Sequence, residues 1–194
     1  MKNIGWRYSC EQNYAKAREW YEKMYEAGGE FGAYAIGLMY RRGSGVPVNF
    51  QTAYEWFSKV DTPDTELMWA TVAIAELYGK GDQYLPQNSE KFNETIQKAR
   101  DLANGGTSGL HAVYQYVLGC EFSDRGRLPT NKTEAVEWFT LSTENNHAGA
   151  RAKLAAIYYK GDGVEVDKAK ARELVDKSGE KPVRYKKGNL DLVA

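Results

Sequence analysis

One short pattern recurs five times along the chain and constrains its fold more than any other feature. An aliphatic residue, a small residue and, three positions on, an aromatic appear as Ile4-Gly5-x-x-Tyr8, Ile36-Gly37-x-x-Tyr40, Ile74-Ala75-x-x-Tyr78, Leu118-Gly119-x-x-Phe122 and Leu154-Ala155-x-x-Tyr158. Each copy is followed by Asn13, Asn49, Asn88, Asn131 or Asp167, at separations of 36, 39, 43 and 36 residues. Self-similarity at such a period is the mark of a repeat array, in which no unit buries its apolar face alone and stacked neighbours supply the core.

The second half of each repeat reads as a helix. Four residues after the Asn or Asp stand Ala17, Ala53, Phe92, Ala135 and Ala171. Three and four positions further come Trp20-Tyr21, Trp56-Phe57, Thr95-Ile96, Trp138-Phe139 and Leu174-Val175, one stripe of a helix surface. The Asn or Asp is placed to cap that helix, its side-chain oxygen accepting from a free amide of the first turn. The aliphatic motif lies on a preceding helix, which ends in loops such as Gly43-Ser44-Gly45 and Gly161-Asp162-Gly163. Glycine there supplies the left-handed backbone that stops a helix. Small residues facing large rings let the two helices interlock.

Hydrophobic residues make up 42% of the chain and charged residues 27%, enough apolar surface to fold and too little net charge for disorder. The 26 basic and 26 acidic side chains cancel, so no global field draws the chain to nucleic acid or to anionic lipid. No stretch approaches the ~18 apolar residues that span a bilayer, and the first residues hold no signal-peptide core. The expectation is a cytoplasmic protein with neither a nucleic-acid nor a membrane partner. Cys10 and Cys120 are too few for a disulfide framework or a structural zinc site, and both are expected as free thiols.

Taken together, the aliphatic-Gly-x-x-Tyr motif, the Gly-x-Gly-Val loop, the Asn or Asp and the Ala-x-x-Trp-Phe-x-Lys helix resemble the Sel-one-like repeat (SLR), a relative of the tetratricopeptide repeat. The resemblance runs from Ile4 to about Gly179. It implies an all-α, right-handed α-α superhelix of about four and a half helix-turn-helix repeats, approximately 1–29, 30–64, 65–107, 108–146 and 147–179, with 180–194 as a C-terminal cap or tail. It also implies a non-catalytic protein-interaction scaffold with no cofactor. The departures are specific. The third repeat has Thr95 where Trp is expected, Phe92 where Ala is expected and a lengthened loop, Gly79 to Gln87. The fourth has lost a loop glycine in Ser123 to Pro129, and the linker Asn104 to Gly109 is long. Disulfide-stapled members of the family are excluded, because the paired cysteines are missing.

By the same resemblance the first helix of each pair lines a concave surface. Helical spacing places Phe31, Tyr34 and Leu38, then Trp69, Val72 and Glu76, then Val113, Tyr116 and Cys120 opposite the core-facing positions. Apolar residues dominate the stripe, so two readings stand open: the floor of a partner-binding groove, or core packed on both helix faces. Phe31, Tyr34, Leu38, Trp69, Val72, Glu76, Val113 and Tyr116 are the candidate partner contacts.

His111 and His147 stand at equivalent turns and belong to no recognisable catalytic or metal-binding motif. The glycine-rich loops follow helices and lack the Gly-Lys-Ser/Thr ending of a phosphate cradle. The basic segment Lys181 to Gly188 reads as a cap over the last repeat or as a patch for an anionic partner. The expected function is capture of one cognate protein partner through the concave face. Short bacterial members of the family resemble immunity or antitoxin-like inhibitors of a toxin, which is the leading expectation. An adaptor in signalling or secretion is the alternative, and a hydrolase with an unrecognised site is a remote one.

Overall fold

The computed structural model describes residues 2–106, 108–124 and 126–176, together with the backbone of 184–186 and 189–191. Ten helices form five consecutive pairs: α1 (Lys2–Cys10) with α2 (Tyr14–Glu26), α3 (Phe31–Arg42) with α4 (Phe50–Phe57), α5 (Thr65–Lys80) with α6 (Ser89–Asn104), α7 (Gly109–Phe122) with α8 (Lys132–Glu144), and α9 (Ala148–Lys160) with α10 (Lys168–Asp176). This is the α-solenoid architecture the repeats imply. The chain divides into two compact units, residues 1–102 and 103–194. Among the described residues the one departure from helix is an antiparallel pair of short strands, β1 (Arg184–Lys186) and β2 (Asn189–Asp191), with Tyr185 opposite Leu190. The side chains of the basic C-terminal segment lie outside the described residues.

Every repeat is closed by the same two hydrogen bonds at its Asn or Asp. The side-chain oxygen accepts from the amide three residues on, in Asn13 from Lys16, Asn49 from Thr52, Asn88 from Lys91, Asn131 from Glu134 and Asp167 from Lys170, at 2.9–3.3 Å. The backbone N–H of the same residue donates to the carbonyl of the motif aromatic: Tyr8, Tyr40, Tyr78, Phe122 and Tyr158, at 2.8–3.0 Å. One residue thus satisfies an orphan donor of the second helix and an orphan acceptor of the first. Loops of different length are tolerated because this clasp, not the loop, sets the hairpin.

In the three motifs whose small residue is glycine, that residue is the seat of a ring. A Cβ on Gly5 would meet Tyr21 at 2.6 Å, one on Gly37 would meet Phe57 at 2.6 Å, and one on Gly119 would meet Phe139 at 2.7 Å. Phe57 and Phe139 are almost wholly buried. Burial of each such ring contributes about 1.5–3 kcal/mol. The third repeat inverts the rule locally: Phe92 replaces the usual Ala, and its ring is received at Gly79, where a Cβ would stand 3.1 Å away.

The irregular loops are folded by carboxylates. After α5, Asp82 accepts from the amides of Tyr84 and Leu85 and reaches back to the amide of Phe50 at the start of α4. Leu85 is thereby buried. After α7, the Glu121 carboxylate binds the Arg127 amide at 2.8 Å and its guanidinium at 2.6 and 3.0 Å, doing the work of the missing loop glycine. At the regular exits, Gly43 (φ 74°) and Gly161 (φ 76°) adopt the left-handed conformation expected of them.

Candidate functional site

The candidate stripe on the first helices is largely packed. Val72 is fully buried, and Tyr34 and Glu76 are 9% and 7% exposed, so these three are packing residues and not an open surface. The physical reason is that α5 lies against α3 along this stripe. The Tyr34 ring lies tilted 5.8 Å from Trp69 and 5.7 Å from Phe57, and Arg41 of α3 is ion-paired with Glu76 of α5. Lys80 completes the pair from the next turn at 2.8 Å. Phe31, Leu38 and Trp69 are half-buried against the same core, and Val113 and Tyr116 are half-buried in the second unit.

Both histidines and Glu121 are engaged in local structural contacts. The His147 Nδ1 caps α9 by accepting from the Ala150 amide at 3.1 Å, while its ring stacks on Tyr116 at 4.5 Å. Burial lowers its pKa from the usual value, which suits a neutral ring acting as acceptor. His111 Nδ1 lies 2.7 Å from the Ser108 hydroxyl. Glu121 is paired with Arg127. Burial pushes the Cys120 thiol up, away from thiolate chemistry at neutral pH, and both cysteines are free. Among the described residues no cluster of His, Cys, Asp and Glu could hold a metal ion, and no helix is long and apolar enough to cross a membrane.

A cleft of about 520 Å³ opens in the first unit, between α4 and α6 over α5. Its floor is apolar: Phe57, Val60, Leu67 and Ala70, with Ile74 and the rings of Tyr54 and Tyr78. The rings of Tyr54 and Tyr78 lie 5.7 Å apart, and burial with the Tyr54 hydroxyl pushes the Tyr78 phenol up to about 12. The rim carries Lys91, Glu94 and Lys98 of α6 and Asp61 of the α4–α5 linker. Glu30 holds that linker, accepting from the amides of Asp61 and Thr62 and from the Thr62 hydroxyl. Thr71 and Thr95 also line the cleft, each hydroxyl donated to the carbonyl four residues back, at 2.8 and 2.7 Å. The volume falls within the range of ordinary ligand sites.

The origin of the cleft is visible when the repeat sequences are aligned on their capping residues. In the second repeat Trp56 packs edge-on against Tyr25 of the first, with ring centres 5.7 Å apart, and Lys59 lies 5.0 and 5.6 Å from the two rings. The corresponding positions one repeat on are Thr95, Asp61 and Lys98, and all three line the cleft. The missing Trp at 95 was legible as a departure from the pattern. The paired loss at Asp61 is hidden within any single repeat, and counting eight residues from Ala17 and from Ala53 finds Tyr25 and Asp61 as counterparts.

Comparison with known proteins follows the same division. A family model, the Sel1 repeat, matches residues 3–29, 31–59, 70–91, 112–147 and 148–182. Residues 92–111, which hold Thr95 and Lys98, fall outside every match. No curated protein matches the chain. Among solved structures it is similar to a Sel1 repeat protein from Oxalobacter formigenes, with 21% identity over 91% of this chain and 70% of that one and a TM-score of 0.50. It is also similar to a protective antigen, displaying an SLR fold, from uropathogenic Escherichia coli strains, at 20% identity over 86% of this chain and 41% of that one, with a TM-score of 0.37. With five matches covering more than half its length, each ending in or near a clasped helix pair, the chain belongs to the Sel1 repeat family.

Proposed function

We propose that this chain is a non-catalytic protein-interaction module that binds one cognate protein partner. Sel1 repeats in general are modules for protein–protein interaction. The observation that supports the specific reading is the place of the cleft: it opens between the second and third repeats, where the Tyr25–Trp56 ring pair of the preceding junction is replaced by Asp61 and Thr95. A sequence that abandons a local packing rule without refilling the space has exchanged stability for a surface.

A surface specialised at one junction suits a single-partner inhibitor of the immunity or antitoxin type. The adaptor reading has its own support, because the half-buried Phe31, Leu38 and Trp69 offer the first unit a second surface apart from the cleft. The test is recovery of the tagged full chain from its native cell, followed by native mass spectrometry. One partner at 1:1 supports the inhibitor. Two partners held together support the adaptor. Absence of any stoichiometric partner refutes the module.

A further inference from the structure

Resting on that reading, we propose that the cleft between α4 and α6 is a socket for a tryptophan side chain of the partner, entering where the preceding repeat holds its own Trp56. The second repeat supplies the template. There an indole lies between two second helices, edge-on to Tyr25 and beneath Lys59. One repeat later the helices, the apolar floor and the lysine persist as Lys98, while both rings are gone, replaced by Thr95 and Asp61. Among the described residues Lys98 has no ring beneath it.

What remains matches an indole group by group. The partly exposed Ile74 and Tyr54 give an apolar floor. Lys98 is placed to lie over a ring as Lys59 does. The Asp61 carboxylate, on a linker fixed by Glu30, is an acceptor for an indole N–H. The hydroxyls of Thr71 and Thr95 are already donated within their helices, so an arriving ring strands no buried donor. Tryptophan is also among the residue types enriched as central anchors of protein interfaces.

The experiment is an NMR titration of the full chain with N-acetyl-tryptophanamide, with N-acetyl-leucinamide as control. Saturable shifts of the Thr95 and Ile74 methyl resonances, at least ten-fold weaker with the leucine amide, are expected. Thr95→Trp fills the socket in cis, and should abolish the response while leaving the melting temperature unchanged or higher. Asp61→Ala and Lys98→Ala, both at exposed positions, should each weaken the response severalfold in a folded chain. They decide the matter if Thr95→Trp fails to fold. Equal response to the two amides, no response, or an undiminished response in all three variants overturns the socket. If the amide fails to bind and a stoichiometric partner is still recovered, the socket falls and the interaction module stands. If the amide binds and no partner is recovered, the reverse holds.

Discussion

At the scale of single residues, the clasp residues and His147 carry separable, measurable loads. Asn49→Ala removes the acceptor for the Thr52 amide but keeps its own N–H on the Tyr40 carbonyl. The expected cost is about 1 kcal/mol, read as a lower urea midpoint with an unchanged slope, and Asn49→Asp should restore most of it. His147 predicts a pH dependence. Its folded pKa is depressed by burial, so the unfolded chain takes up the proton more readily. The stability this ring contributes is present above its unfolded value of about 6.5 and is lost as pH falls below it. His147→Asn caps without titrating, and should narrow the difference in melting temperature between pH 7.5 and pH 5.5. If the wild-type difference persists in that variant, His147 is not its source.

At the scale of the helix pair, stability rests on rings seated against small residues. Gly37→Ala would gain about 1 kcal/mol of helix propensity but place a Cβ 2.6 Å from two atoms of the buried Phe57 ring. Displacing such a ring costs about 1–3 kcal/mol, so a net loss is expected in the urea midpoint. If that midpoint rises, the close seating of the rings does not set the interhelix spacing. These contacts were legible in the sequence because they are local: a cap, a small residue and a ring at helical spacing fall within one repeat. The stripe of Tyr34, Val72 and Glu76 was less legible. A helical wheel gives the direction of a side chain but not how closely the next repeat's helix covers it. Nor does it foresee a carboxylate buried by pairing with Arg41 and Lys80. The cleft needed two repeats to be read together, since Thr95 stands out as a departure within its own repeat while Asp61 does not stand out in its own.

At the scale of the whole molecule, His147, Glu76 and Glu121 are each committed to a structural bond, and the proposed module binds its partner without altering it. The most direct test of this account is calorimetric titration of the recovered partner into the full chain, followed by intact-mass measurement of both proteins after prolonged incubation with the chain at a hundredth of the partner's concentration. Saturation at one partner per chain and two unchanged masses are expected. A partner altered by substoichiometric chain, or heat without saturation, would contradict the non-catalytic module.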